Sequence, residues 1–309
     1  DGNGYKEALA KGLGGIIFFT KDIQTPEQFK NLCAEITSQS KITPFLSIDQ
    51  EGGRVERTEN IHGGKKYLSA KFAFEKGEEF LRNQTDEIAK ELKSYGINMN
   101  FAPCIDVNTN PNNPIIGERA FSNKPEEVIL GQKIVSTTYR NNGIIPCVKH
   151  FPGHGDANAD SHLTLPQINL TLKEMEQTHI KPFADAVKDG IEMVMVAHLH
   201  CTCFEKEEIP TSLSKNAINY LRNSLNFNGV AISDDMIMKG VAKFGAKTAC
   251  EMGIRAGLNM FIYRNSLPET IDIIEFLVQK AQGDRELFAN IETSFEKIIE
   301  LKKKFGLLK

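Results

Sequence analysis

The sequence predicts an α/β fold, and among α/β folds a (β/α)8 barrel of the TIM type. Short apolar runs alternate with amphipathic helical segments along the whole chain, which is the pattern of repeated βα units. A polar residue follows nearly every apolar run. No Gly/Ser-rich linker and no change of composition divides the chain, so we expect residues 1–309 to form a single domain.

Seven apolar runs predict β-strands. Most of them are continuously apolar rather than alternating, as expected of parallel strands that are buried on both faces. The predicted strands span residues 16–19, 45–48, 98–107, 147–151, 193–197, 230–233 and 260–263. A barrel of this type needs one strand more. We expect that first strand ahead of Asp1, missing or truncated at the N-terminus.

The segments between these runs carry helix start signals. Thr25 and Gln28 match a capping box, and Pro26 between them suits the first helical turn. Thr171 and Glu174 match a second capping box, ahead of one helical pattern. Apolar residues at helical spacing predict the last helix, at Ile291, Phe295, Ile298 and Phe305.

The polar strand ends favour a barrel over a doubly wound sheet. All strand ends of a barrel meet at one rim, where barrel enzymes place their active sites. A doubly wound sheet instead concentrates function at one switch point. No GxGxxG or GxxxxGK(S/T) motif supports a nucleotide site. The polar residues that follow predicted strands are Asp49, Asp106, His150, His198, Asp234 and Arg264.

Composition and charge exclude several classes of partner. With 40% hydrophobic and 25% charged residues, the chain is typical of a globular protein. Its net charge of −3 comes from interspersed signs, which argues against nucleic acid or a membrane surface. No apolar stretch is long enough to cross a bilayer. The six cysteines lack a disulfide spacing, so we expect them reduced and the protein in the cytoplasm.

The stretch KHFPGHGDANADSHLTLP, residues 149–166, concentrates titratable groups on a connection rich in glycine and proline. Asp160 precedes His162 by two positions, and a nearby carboxylate favours the imidazolium and fixes its tautomer. His162 could therefore serve as an acid and then as a base, or Asp160 could simply hold a surface turn. Lys149 and His150 end the preceding strand, where a lysine is rarely buried without a partner.

Two adjacent carboxylates, Asp234 and Asp235, end another predicted strand. Side chains alternate along a strand, so one of the pair should cap the next helix and the other should face the barrel mouth. The loop that begins at Asp49 and reaches Arg57 has two glycines and several charges suited to sugar hydroxyls. Arg119 lies on a long Pro/Asn-rich connection of the kind that is often functional.

We expect no metal and no organic cofactor. Cys201 and Cys203 lie close to His198 and His200 in sequence, but not in the CxxC or HxxxH spacing of common metal sites. A metal-dependent hydrolase is nevertheless compatible with the sequence. Its ligands would be histidines, at His150, His154, His162 and His198.

The motifs SIDQEGGRV, NPIIGERAFS, KHFPGHGDANADSH and VAISDDMIMKG together resemble glycoside hydrolase family 3. More narrowly, they resemble its single-domain β-N-acetylglucosaminidases of peptidoglycan recycling, over nearly the whole chain. By position, the resemblance implies that Asp234 is the nucleophile, that His162 is the acid/base and that Asp160 pairs with it. It implies that N-acetylglucosamine is bound at the positions of Asp49, Arg57, Arg119, Lys149 and His150.

The resemblance also implies the reaction. It would be exo-acting hydrolysis with net retention through a covalent glycosyl–aspartate, in a single catalytic barrel of residues 1–309. The implied substrate is a small carbohydrate or muropeptide, N-acetylglucosamine linked to anhydro-N-acetylmuramic acid with or without peptide. The motifs are also compatible with a β-glucosidase or β-xylosidase of the same family, and with a non-catalytic barrel that binds sugar or muropeptide.

Overall fold

The structure is a computed structural model that describes residues 4–157, 165–264 and 268–308. Nine strands form within these residues. They are β1 Gly15–Phe18, β2 Phe45–Ile48, β3 Met99–Asn100, β4 Ile145–Phe151, β5 Gln167–Ile168, β6 Met193–Val196, β7 His200–Cys201, β8 Val230–Asp235 and β9 Met260–Ile262.

Twelve α-helices lie before, between and after these strands in the described residues. They are α1 Gly4–Ala10, α2 Pro26–Gln39, α3 Ala70–Glu75, α4 Glu78–Ser94, α5 Pro125–Asn141, α6 Leu172–Gln177, α7 Lys181–Lys188, α8 Lys215–Asn219, α9 Lys239–Ala242, α10 Ala246–Ala256, α11 Pro268–Ala281 and α12 Arg285–Lys304. A single π-helical turn, Tyr220–Ser224, continues α8. None of the described helices is both long and apolar enough to span a membrane.

The main sheet has seven strands in the order β1-β2-β3-β4-β6-β8-β9, and every neighbouring pair is parallel. Each strand therefore lies beside the next main-sheet strand along the chain. This is the order of a barrel, because a doubly wound sheet reverses direction at its switch point. The sheet is nearly closed with helices around it, so the predicted fold class is confirmed. The strand expected ahead of Asp1 stays a prediction.

Alternate side chains along the strands enter two different hydrophobic clusters, as strand geometry requires. One set packs between the sheet and the helices and includes Leu46, Ile48, Val148, Val194 and Ala231. The other set fills the barrel interior, with Phe45, Met99, Ile145, Met193, Val230 and Ile262. Burial on both faces explains why the strands are continuously apolar in the sequence.

Helix α12 packs against the start of the sheet. Its Leu301 enters the interior cluster. The next residue, Lys302, is buried and donates hydrogen bonds to the carbonyls of Gly14 at 3.1 Å and Thr43 at 2.7 Å, just ahead of β1 and β2. Its ammonium also lies 4.7 Å from the centre of the Phe45 ring. Burial lowers the pKa of Lys302 to about 8, a cost that these contacts offset.

Three expectations about local structure need correction. The strand predicted over residues 98–107 is only Met99–Asn100, and beyond Pro103, which has no N–H to donate, the chain pairs with β4 again only as an isolated bridge between Cys104 and Lys149. The helix predicted after Thr171 is split into α6 and α7, and Pro182 lies in the first turn of the second one. Phe295 is 57% exposed, so it lies outside the buried face of α12.

The predicted helix caps are found in whole or in part, and the cysteines are reduced as expected. The side chain of Thr171 accepts from Glu174 N and the Glu174 side chain accepts from Thr171 N, which confirms that capping box. Thr25 accepts from Gln28 N as predicted, but the Gln28 side chain accepts from Gln24 N instead of Thr25 N. All six cysteines are in the described residues and all are free thiols.

We predict that Arg222 is a major local source of stability. Its guanidinium donates to the carbonyls of Phe227 at 3.1 Å, Gly229 at 2.6 Å and Gly257 at 3.2 Å, and to Asn259 Oδ1 at 2.5 Å. These bonds tie the start of β8 to the turn before β9. Arg222→Met should lower the free energy of unfolding by about 3 kcal/mol, because four acceptors lose a charged donor.

Chemical denaturation followed by circular dichroism measures this change. Arg82→Met, at an exposed arginine of α4, is the matched control and should change stability by less than about 0.5 kcal/mol. Equal effects of the two substitutions would contradict the role assigned to Arg222.

Candidate active site

The predicted site residues that the structure describes lie near the carboxyl ends of the strands. Asp49 directly follows β2, and Lys149 and His150 are among the last residues of β4. Asp234 is the last residue but one of β8, and Arg119 ends a short 3₁₀ turn, Gly117–Arg119, after β3. Because the strands are parallel, their carboxyl ends share one rim and these residues are brought together.

Lys149 is the centre of a buried ion-pair network. Its side chain is 2% exposed, and Nζ lies 2.6 Å from Asp49 Oδ1 and 2.6 Å from Glu51 Oε1. Burial by itself lowers the pKa of Lys149, but the two carboxylates outweigh it and raise the pKa well above its ordinary value. Lys149 is therefore a permanent ammonium that holds both carboxylates.

Glu51 extends the network to Arg119. Arg119 donates Nε to Glu51 Oε2 at 2.9 Å and Nη2 to Oε1 at 2.8 Å, a two-pronged contact. Burial raises the pKa of Glu51, yet Arg119 and Lys149 hold it well below its ordinary value. Glu51 was not among the residues predicted for the site. Its place two positions after Asp49 was an available signal, since alternate residues of an extended chain point the same way.

His150 continues the network through a second buried carboxylate, that of Asp106. The ring Nδ1 lies 2.7 Å from Asp106 Oδ2, and Nε2 lies 3.4 Å from Arg119 Nη2. Asp106 also accepts from the main-chain N–H groups of His150 and His154. Burial raises the pKa of Asp106, but His150 and these donors hold it well below its ordinary value. Asp106 was predicted only as a strand end, without a role in the site.

One group in the described residues has the spacing of metal ligands. Cys104 Sγ, an Asp106 oxygen and a His150 ring nitrogen lie within 4.8 Å of one another. These atoms are already joined by protons, since Cys104 Sγ donates to Asp106 Oδ2 at 3.2 Å and His150 Nδ1 bonds the same oxygen. Burial raises the pKa of the Cys104 thiol well above its ordinary value, which disfavours a thiolate ligand. Across the described ranges, Cys201, Cys203, His198 and His200 form no such group.

Asp234 and Asp235 have separate environments, as the alternation of side chains predicts. Asp235 accepts from the main-chain N–H groups of Ile237 and Arg264, and its Oδ2 pairs with Arg264 Nε at 3.1 Å. It therefore secures the turn after β8. Asp234 Oδ1 instead accepts from Asp235 N at 2.7 Å, and the residue is partly exposed.

The surroundings of Asp234 keep it ionised. Burial raises the pKa of this carboxyl, but His150, the Asp235 N–H and the Lys149 ammonium together outweigh that effect. The net result is a pKa below the ordinary value of an aspartate. A carboxylate that is partly exposed, ionised and aligned by its neighbours can attack an electrophilic carbon.

Arg57 lies on the same loop as Glu51 but outside the ion-pair network. Its main-chain N–H donates to Gln50 Oε1 at 2.7 Å and its Nη1 to the Glu56 carbonyl at 3.1 Å. The guanidinium carbon is 5.8 Å from the centre of the Phe19 ring. Within the described part of the chain, its buried Nε has no hydrogen-bond partner. Arg57 thus has donor capacity left for a ligand.

Asp160 and His162 lie outside the described residues, within 158–164, so the structure does not test their predicted roles. The chain on either side of this segment is secured. On the amino side, Asn110 N donates to Gly155 O and Asn113 Nδ2 donates to His154 O. On the carboxyl side, β5 pairs with β7 in a separate parallel sheet.

Gly155 in the KHFPGHG motif allows a close approach of two loops. A Cβ at this position would lie 1.7 Å from the carbonyl oxygen of Val107. No side chain can be accommodated there without moving main chain. Glycine at 155 therefore keeps the β4 loop against the loop that follows β3.

Comparison with known proteins agrees with this fold. Residues 4–301 match the family described as the glycosyl hydrolase family 3 N terminal domain. β-Hexosaminidase A of Pseudoalteromonas piscicida is 32% identical, over 94% of this chain and 53% of its own length. A β-hexosaminidase of Methylococcus capsulatus is 32% identical over 85% of this chain and 79% of its own length.

Solved structures extend the comparison to three dimensions. A glycoside hydrolase family 3 β-N-acetylglucosaminidase from Paenibacillus sp. FPU-7 superposes with a TM-score of 0.91 at 29% identity. That alignment covers 99% of this chain and 59% of the Paenibacillus chain. The chain thus spans little more than half the length of the Pseudoalteromonas and Paenibacillus relatives. With a family match over nearly its whole length, the chain belongs to glycosyl hydrolase family 3.

Proposed function

We propose that this chain is a retaining exo-β-N-acetylglucosaminidase whose single catalytic barrel comprises residues 1–309. The proposed substrates are peptidoglycan fragments with terminal N-acetylglucosamine, linked to anhydro-N-acetylmuramic acid with or without peptide. The names of the similar proteins, β-hexosaminidase and β-N-acetylglucosaminidase, support this activity over that of a glucosidase or xylosidase. We propose a cytoplasmic location, which six free thiols support.

The environment of Asp234 carries the proposal. Retaining glycosidases need a carboxylate below the anomeric carbon that is ionised at the start of the reaction. Asp234 is the better candidate, because its neighbours keep it ionised and the adjacent N–H holds its Oδ1. The neighbouring Asp235 is the weaker candidate, because its oxygens are engaged in the turn after β8.

The ion-pair network supplies a binding surface for the sugar. Asp49 is its most accessible carboxylate, with 18% of the side chain exposed against 5% for Glu51. Lys149 and Arg119 present donors, and His150 presents a ring, that buried carboxylates hold in place. Charged groups fixed in this way hydrogen-bond hydroxyl and amide groups with little further loss of conformational entropy.

The acid/base role of His162 rests on its position in the sequence motif. In the first step the Asp234 carboxylate attacks the anomeric carbon, the glycosidic C–O bond breaks, and protonated His162 gives its proton to the leaving oxygen. In the second step neutral His162 takes a proton from water. The water oxygen then displaces Asp234 from the anomeric carbon, so the configuration is retained.

We predict that Asp234→Ala lowers kcat for an aryl N-acetyl-β-glucosaminide by at least about 10³-fold, because the covalent step loses its nucleophile. A 5-fluoro-N-acetylglucosaminyl inactivator should label the wild-type protein on the peptide that contains Asp234. Mass spectrometry after proteolysis locates the label.

Asp235→Asn is the matched control for this experiment. It keeps an acceptor oxygen and the size of the side chain in the turn, so kcat should stay within about tenfold of wild type. Faster turnover of an aryl β-glucoside than of the N-acetylglucosaminide would refute the proposed activity. A label on another peptide would refute the proposed nucleophile.

We predict that Glu51→Gln weakens both folding and substrate use. The substitution preserves size but leaves Lys149 and Arg119 buried beside one another with one carboxylate fewer. Removing one partner of a buried ion pair typically costs about 3–5 kcal/mol of stability. Because Glu51 positions sugar-binding groups, KM should rise and kcat/KM should fall by roughly 10²-fold.

Steady-state kinetics and denaturation measure these effects on the same preparation. Glu59→Gln changes an exposed glutamate of the same loop and should behave like wild type. Wild-type kinetics for Glu51→Gln would mean that the network does not organise the sugar site.

We predict that the nucleophile limits activity only at strongly acidic pH. Its lowered pKa keeps Asp234 ionised where a free aspartate, with an ordinary pKa of 3.8, would already be protonated. The rate of labelling by an inactivator with a leaving group that needs no proton should therefore reach half of its maximum only below pH 3.8. A midpoint at or above that value, in protein that circular dichroism shows to be folded, would contradict this prediction.

A further inference from the structure

His198 lies beside the strand that carries Asp234, and the proposed mechanism gives it no role. It follows β6 by two positions and is 1% exposed. Both of its ring nitrogens have partners, Ser212 Oγ at 2.7 Å from Nδ1 and the Asp235 carbonyl oxygen at 3.1 Å from Nε2. The ring thus connects the end of β6 to the end of β8, one residue beyond Asp234.

The direction of these hydrogen bonds follows from their partners. A carbonyl oxygen can only accept, so His198 Nε2 carries the proton and donates it to Asp235. Burial lowers the pKa of His198, so the ring is neutral and its Nδ1 is an acceptor. The Ser212 hydroxyl must then donate to Nδ1. The result is a chain of hydrogen bonds with one direction, from the serine through the imidazole to the carbonyl.

The serine at the start of this series of hydrogen bonds is rigidly held. Ser212 N donates to the Ala197 carbonyl at 3.2 Å. The preceding residue, Thr211, donates its hydroxyl to the same carbonyl at 2.7 Å and its N–H to the Leu199 carbonyl at 2.7 Å. Thr211 and Ser212 are both almost fully buried. The hydroxyl is therefore fixed relative to β6.

The Asp235 carbonyl, at the other end of this series of hydrogen bonds, is one residue from the proposed nucleophile. The Asp235 carbonyl accepts from His198 and from Met238 N at 3.0 Å, while its side chain is held by the turn after β8. Fixing this residue also fixes its N–H, which donates to Asp234 Oδ1 at 2.7 Å. The orientation of the Asp234 carboxylate thus depends on how firmly Asp235 is held.

We propose that His198 and Ser212 are positioning residues, which align the Asp234 carboxylate for attack through the Asp235 main chain. This inference rests on the proposed role of Asp234 as nucleophile. A displacement of the reacting atoms by about 1 Å can cost about 10²-fold in rate, so the effect belongs in kcat more than in substrate binding.

Three variants separate the hydrogen bonds from packing. His198→Gln can place a side-chain N–H near the position of Nε2 and keep the bond to Asp235, whereas His198→Asn is too short to do so. Ser212→Ala removes the group that holds the neutral tautomer. His200→Asn is the matched control, because His200 is also buried and its Nε2 bonds the carbonyl of Glu205 at 3.1 Å, away from Asp234.

We expect His198→Asn to lower kcat by about 10²-fold with KM within about threefold of wild type, and His198→Gln to recover most of the loss. Ser212→Ala should lower kcat by about three- to tenfold, a smaller loss because the imidazole remains. His200→Asn should keep wild-type kcat. Inhibition by free N-acetylglucosamine should be unchanged in all four, which shows an intact sugar site.

The result that overturns the proposal is distinct from one that overturns the proposed function. If His198→Asn and Ser212→Ala keep wild-type kcat while Asp234→Ala is inactive, the nucleophile stands and the positioning role is wrong. Equal losses in His198→Gln and His198→Asn would also refute it, because the donor to Asp235 would then be irrelevant. If His198→Asn fails to fold, the kcat of Ser212→Ala decides.

Discussion

The site depends on one buried contact, the Lys149 ammonium held between Asp49 and Glu51. Each of these groups would be costly to bury alone, because removal from water disfavours an unpaired charge. Together with Arg119 they neutralise one another over distances of 2.6–2.9 Å. The three chain segments that carry them, the ends of β2 and β4 and the loop after β3, must therefore stay in register.

A parallel barrel suits this contact for a geometric reason. Two hydrophobic clusters, one inside the barrel and one between the sheet and the helices, hold the strands in place below the rim. The strands therefore fix the position of each polar side chain at the rim. The polar groups then need only short connections to meet. The bonds of Asp106 to the main chain at His150 and His154, and the close approach at Gly155, fix the beginning of the β4 loop in the same way.

The two carboxylates at the end of β8 show how adjacent residues acquire different chemistry. Asp235 engages main-chain N–H groups and Arg264, while Asp234 accepts from the Asp235 N–H and lies near His150, His198 and Lys149. The difference arises because side chains alternate along a strand, so the two carboxylates leave β8 in opposite directions. Identical residue types thus acquire a structural role in one case and a proposed reactive role in the other.

The sequence by itself determined the seven strands, the barrel and several of the residues that meet at its rim, because apolar periodicity and the polar residue after each strand are local features. The capping box at Thr171 and the cap by Thr25, though not the return contact of Gln28, were predicted for the same reason. Only the tertiary structure decided which polar groups pair. Glu51 as the bridge between Lys149 and Arg119, and the hydrogen-bonded chain from Ser212 to Asp235, join residues far apart in sequence. Such pairings depend on distances across strands, and no spacing along a single chain encodes them.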